Sequence, residues 1–225
     1  MSGLTANPLI GRMADAVTQA GGTAVLTEIP EMFGAEQLLL VRAENEAVFH
    51  RLTRVVNRFK RYFLDHGEPV SENPSPGNIA GGITTLEEKS LGAVQKGGLS
   101  NVVDVIDYGH IATRTGLTIL EAPGNDAVST TALAAAGVTL TLFSTGRGTP
   151  LGSPVPTMKI ASNSALAAAK PGWIDFDAGM VLTNGMDAAA SALLDRIIAV
   201  ASGEPACNER NDERSIGIWK RGVTL

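Results

Sequence analysis

Three groups of residues in this 225-residue chain have types and spacings suited to chemistry. Glu28 and Glu31 flank Pro30 at the end of the apolar run TAVLTEI (23–29). A proline between two carboxylates ends the strand and points both acids into the loop layer, where carboxyls can give or take protons. The stretch NPSPGNIAGGITTLEEKSLG (73–92) is the densest. Thr84 with Glu87, or Thr85 with Glu88, fits a capping box, so a helix starts here and turns its open N–H groups toward a glycine-rich loop that attracts anions. Asn73, Asn78, Lys89 and Lys96 crowd polar groups around that loop, which a plain capped helix leaves unexplained. The third group is TGRGT (145–149), directly after an apolar strand. Ligands of open α/β sheets bind at the carboxyl ends of strands, which puts Arg147 where a carboxylate can be gripped by both arms of its guanidinium. Neither glycine loop continues into Gly-Lys-Ser/Thr or fits the dinucleotide pattern, so nucleotide binding is not the first reading.

Other chemistry-bearing residues read as ordinary. Asp126 follows Pro123-Gly124 and is expected to cap the next helix. His50, His66 and His110 show no metal-ligand spacing, and the single cysteine, Cys207, excludes a disulfide framework or a multi-cysteine metal site within this chain.

Apolar positions Val48, Leu52, Val55, Val56, Phe59, Tyr62 and Phe63 repeat every three or four residues, the signature of an amphipathic helix ending at Gly67. Its other face carries Arg51, Arg54, Arg58 and Arg61, read as a solvated stripe. Helices are also expected over 8–20, 34–44, 84–95, 126–136, 163–170 and 186–202, and strands over 23–29, 102–106, 117–120, 138–143 and 158–161. Strands alternating with helices predict an α/β fold, a mainly parallel sheet built of βαβ units with helices on both faces. The end of the chain, 215–225, predicts two short strands around a tight turn, with Trp219 docked in the chain's own core as the plainer reading and against another domain or subunit as the alternative.

Composition agrees. Hydrophobic residues make up 44% and charged residues 18%, with only 4% aromatics and 25 glycines, so a sizeable core of small and branched side chains is expected. The formal charge of −5 argues against a general electrostatic hold on nucleic acid or anionic lipid, and no apolar run approaches membrane-spanning length. The N-terminus shows no basic stretch followed by an apolar run, which predicts a cytoplasmic protein.

Taken together, several stretches resemble the altronate dehydratase and galactarate dehydratase family of sugar-acid dehydratases. They are SGLTANPLIG (2–11), TEIPEMFGAEQLL (27–39), NPSPGNIAGGITTLEEKSLGAVQKGG (73–98), APGNDAVSTTALAAAG (122–137), STGRGTPLGSPVPTMKIASN (144–163) and the terminal WKRGVTL. The resemblance implies that 1–225 is a C-terminal domain, with a change of character near 71–82, and that upstream domains or subunits complete the enzyme. It implies a hydro-lyase that takes water from a hexonate or hexarate such as altronate or galactarate, leaving a 2-keto-3-deoxy acid, with a divalent metal, Fe2+ or Mn2+, as cofactor. A proton beside a carboxylate is very weakly acidic, so such a site must stabilise an enediolate while a base of suited pKa removes the proton.

On that resemblance Lys89 or Lys159 is the expected base, with Glu28 or Glu31 holding metal or protonating the departing hydroxyl. Arg147 is expected to hold the substrate carboxylate, and Asn73, Asn78, Gly81, Gly82, Thr145 and Lys96 the rest of the sugar acid. The metal ligands stay unassigned. Expected partners are the small sugar acid, the upstream part of the enzyme and a second copy in a homodimer, with neither nucleic acid nor membrane. Two alternatives stand beside this reading: a noncatalytic binding and assembly domain of such an enzyme, and a sulfolactate-type sulfo-lyase.

Overall fold

The computed structural model describes residues 1–70, 79 and 83–221. Two all-parallel, three-stranded sheets carry the fold. One has the order β1 (Thr23–Leu26), β3 (Gly116–Leu120), β2 (Val102–Ile106). The other has the order β4 (Thr141–Thr145), β5 (Thr157–Ala161), β6 (Phe176–Asp177). The expected parallel α/β fold is present, with the strands divided between two sheets. Helix α1 (Ala6–Gln19) lies between them, touching β1 and β3 on one side and β4 on the other.

The periodic helix, α3 (Glu46–Asp65), buries Val48, Leu52, Val55, Val56 and Phe59. With Ile29, Phe33, Val102, Leu117 and Ile119 they form the core of the first sheet. Its N-cap is Asn45, whose side chain accepts from Val48 N–H at 3.0 Å. The arginine stripe is more than a solvated face. Arg51 pairs with Asp104 at 2.9 Å, and Arg58 reaches Asp107 at 2.5 Å and the buried Glu121 at 2.6 Å. The second core joins α1 to β5 and to α8 (Met186–Ala201) through Leu9, Ile10, Met158, Ile160, Ala189 and Leu193.

Four expectations need correcting. The strand over 23–29 stops at Leu26, because Glu28 adopts a left-handed backbone and Ile29–Met32 winds into a short 3-10 turn. The helix over 34–44 shrinks to α2 (Gln37–Leu40). The strand over 138–143 moves on to Thr141–Thr145, with Val138 left packing on a small core around Leu120 and Leu133. Residues 215–221 form no strand, and 222–225 lie outside the described residues. That segment runs as an irregular strap. Trp219 stacks on Phe59 at 5.1 Å between ring centres, its backbone N–H donates to Tyr108 Oη at 2.9 Å, and Arg221 pairs with Glu121 at 2.6 Å. Trp219 thus packs on the chain's own core, as expected.

Candidate active site

The two sheets turn their edge strands β1 and β4 toward one another across a cleft of about 1640 Å³, floored by Asn7, Ile10 and Met13 of α1. At one end the carboxyl terminus of β1 delivers Glu28 and Glu31. At the other, β4 delivers Thr145 and Arg147, and β5 delivers Ser162 and Asn163.

Glu28 sits at φ 68°, ψ 61°, a conformation rare for a side chain larger than glycine's hydrogen and stored where surrounding bonds enforce it. Those bonds are on either side: Thr27 Oγ1 donates to Leu120 O at 3.1 Å, and Ile29 N–H donates to Ala122 O at 3.1 Å. The carboxyl is 18% exposed, accepts from Ser129 Oγ at 3.3 Å and stands 4.0 Å from Lys96 Nζ. Burial, with Glu31 and Asp126 adding like charge, outweighs Lys96 and Ser129 and raises it to about 7.

Its neighbour goes the other way. Burial alone would raise Glu31, but Lys96 and Lys89 outweigh it and hold the carboxyl below its ordinary value, with Lys89 Nζ at 2.8 Å. Two acids three residues apart are therefore pushed in opposite directions, the pattern expected of an acid–base site.

Lys89 and Lys96 reach this place because of a well-made helix start. Thr85 caps α4 (Leu86–Val94) by accepting from Glu88 N–H at 3.1 Å, while Glu88 Oε2 returns to Thr84 N–H at 2.8 Å. The capping pair is thus Thr85 with Glu88, one of the two expected. Asp126 is not the cap of α5 (Asp126–Ala135). That role belongs to Asn125, whose Oδ1 accepts from Val128 N–H at 3.2 Å. Asp126 stands at the cleft rim instead, and desolvation together with Glu31 raises its carboxyl.

Of the expected residues, the structure brings Glu28, Glu31, Lys89, Lys96, Thr145 and Arg147 to one cleft. Asn73, Asn78, Gly81 and Gly82 lie outside the described residues. Lys159 is not brought there. It is 1% exposed within β5, and its ammonium donates to Pro150 O at 3.0 Å and Leu151 O at 2.7 Å. Asp175 is likewise structural, accepting from Lys159 N–H at 2.9 Å and Cys207 N–H at 2.8 Å. Sequence reasoning passed over Ser129 and Asn7. Ser129 lies one helical turn beyond Asp126, a spacing that could have flagged it. Asn7 donates to Gly92 O at 2.8 Å and keeps a buried Oδ1 with no partner among the described residues, on the cleft floor.

A cleft at the carboxyl ends of parallel strands, with Glu28 raised beside Lys96 and Glu31 lowered beside Lys89, is the candidate site of this α/β domain. Comparison with known proteins gives the family. Residues 1–224 match the family described as D-galactarate/Altronate dehydratase, C-terminal, and the chain belongs to it. It is 58% identical to altronate dehydratase of Escherichia coli (strain K12) and 53% identical to altronate dehydratase of Bacillus subtilis (strain 168), in each case over the whole of this chain and 46% of the relative. It is 37% identical to galactarate dehydratase (L-threo-forming) of Escherichia coli (strain K12), over 90% of this chain and 39% of that relative. The chain thus spans about half, or less, of the length of these relatives.

Proposed function

We propose that this chain is the proton-transferring C-terminal part of a hydro-lyase that dehydrates a hexonate or hexarate, altronate or galactarate in the first instance, to a 2-keto-3-deoxy acid. The observation that carries this reading is the opposed pair Glu28 and Glu31 beneath Lys89 and Lys96 in one cleft. Glu28, poised near neutrality, takes the C2 proton as a carboxylate. The electron pair of the broken C2–H bond passes into the C1 carboxylate as an enediolate and then forms the C2–C3 double bond as the C3–O bond breaks, with Glu28 giving its proton to the leaving hydroxyl so that water departs. The enol then becomes the ketone. Lys89, engaged with Glu31, and Lys96 meet the negative charge of the enediolate. Arg147 holds a substrate carboxylate, and Thr145 shapes its loop by accepting from Gly148 N–H at 2.9 Å.

The resemblance implies Fe2+ or Mn2+ at such a site. Among the described residues no three His, Cys, Asp or Glu side chains are placed to hold a metal ion, and Glu31 and Glu28 already stand beside Lys89 and Lys96. The residues described do not fit the metal, and no step above passes through one. The same reading includes a preceding half that completes the enzyme, a homodimer and a cytoplasmic location. No helix among the described residues is long and apolar enough to cross a membrane.

The test is formation of 2-keto-3-deoxy acid from altronate and galactarate, by this chain joined to the preceding half that its relatives carry. Product from either acid is the expected result. No product from either, with sulfite released from sulfolactate, would replace the proposal with the sulfo-lyase reading.

A further inference from the structure

Among the described residues Lys159 is the one lysine in the set of largest fully buried side chains, and the proton-transfer scheme does not use it. All five residues of β5 are buried, and Met158 and Ile160 on one face pack into the α1–α8 core, so Lys159 points to the other face. An ammonium taken out of water is costly unless hydrogen bonds answer it. Here the carbonyls of two successive residues, Pro150 and Leu151, answer it, and burial still pushes the lysine below its ordinary value despite Asp175, Cys207 and Glu213 nearby.

Those carbonyls belong to the loop that carries Arg147. Leu151 N–H donates to Thr149 Oγ1 at 3.2 Å, and Thr149 lines the cleft. Lys170 Nζ donates to Arg147 O itself at 3.1 Å and stands 4.5 Å from the centre of the Trp173 ring. Gly148, at φ 78°, lets the chain fold against Leu166 and Lys170, where a Cβ would come within 3.0 Å of both side chains. At the far end Gly152 lies so close to Asn208 and to the Glu213 carbonyl that no Cβ fits, and its own carbonyl accepts from Ser215 N–H at 3.1 Å. The loop is therefore pinned at 147, at 150–151 and at 152.

We propose that Lys159, seconded by Lys170, is a positioning residue: its buried ammonium clamps the Pro150–Leu151 carbonyls and so fixes the loop that presents Arg147 to the substrate carboxylate. This deepens the reading of Arg147 given above and rests on it. A misplaced binding group costs mainly ground-state and transition-state binding alike, which raises KM and spares kcat.

The test compares Lys159→Met, Arg147→Ala and the double variant, in the chain joined to its preceding half. The first readout is steady-state kinetics and the second is amide hydrogen exchange over 146–152. Lys159→Met should raise KM about tenfold with kcat nearly unchanged, and add almost nothing once Arg147 is gone, because one acts through the other. Exchange over 146–152 should quicken in both backgrounds. A fall in kcat with KM unchanged would overturn the proposal and return Lys159 to the chemistry, as would unchanged loop exchange. If Lys159→Met does not fold, Lys170→Met decides: faster loop exchange with a smaller rise in KM supports the clamp, and no change in either overturns it. Exchange needs no turnover. If the wild-type protein proves inactive on sugar acids, the proposed function fails while the exchange result still decides the clamp.

Discussion

The two sheets place lysines near buried acids in opposite ways. At the first sheet, Lys89 and Lys96 stand beside Glu31 and Glu28 in the cleft wall, and the carboxyls are left partly exposed, Glu28 raised to about 7 and Glu31 lowered. At the second, Lys159 is shut away on two backbone carbonyls, and Asp175 is spent on two backbone N–H groups. Burial of a charge is common to both. What separates them is whether the charged group faces space that a substrate can enter, or backbone whose polar groups already satisfy it. The first arrangement is the one we propose to transfer a proton; the second is the one we propose to hold a shape.

The sharpest way to break this contrast is to neutralise one acid at the first sheet. Glu28→Gln should lower turnover of the sugar acid by about 10³-fold, within the range for loss of a general acid–base group, as read by keto-acid formation. Arg147→Lys should cost about 10²-fold in kcat/KM, since a point charge does not reproduce a planar fork.

The contrast also predicts a pH signature in stability. Glu28 has its carboxyl raised from 4.5 to about 7 on folding. A raised carboxyl stabilises the protein most while it stays protonated, below pH 4.5, and that contribution is lost as pH climbs through 7. At about 1.4 kcal/mol per unit the loss comes to roughly 3 kcal/mol. Urea unfolding of wild type and Glu28→Gln across this range should show the slope in the first and a flatter profile in the second. Smallest is the effect at two of the asparagine caps. Asn125→Ala and Asn163→Ala each remove one side-chain bond to a helix N–H, and each should cost about 1 kcal/mol of stability. Only Asn125→Ala should also shift the Glu28 titration, because it loosens the turn that holds Asp126 and Ser129.

Much of this was readable from residues alone. Helix α3 and the strands β2, β3 and β5 follow from period and length, with local sequence and tertiary packing in agreement. Glu28, Glu31 and Arg147 stood out by sitting at a strand end or in a glycine loop, and Lys89 and Lys96 by following the glycine-rich stretch that starts a helix. What stayed hidden depended on conformation or on distant partners. The left-handed backbone at Glu28 is enforced by bonds to Leu120 and Ala122, more than 90 residues away. The division into two sheets depends on where α1 inserts, which no local pattern encodes. Lys159 stood out because it lies in a family motif, and its bonds to Pro150 and Leu151 depend on how a loop eight or nine residues away folds back. Asp126 looked like a cap, but the neighbouring Asn125 took that place.

The central claim is that Glu28 moves the proton. The direct measurement is release to water of a hydrogen label at C2 of the sugar acid, for wild type, Glu28→Gln and Lys159→Met. The account predicts release by wild type, release by Lys159→Met at saturating substrate, and about 10³-fold slower release by Glu28→Gln. Label release by Glu28→Gln at the wild-type rate would contradict it.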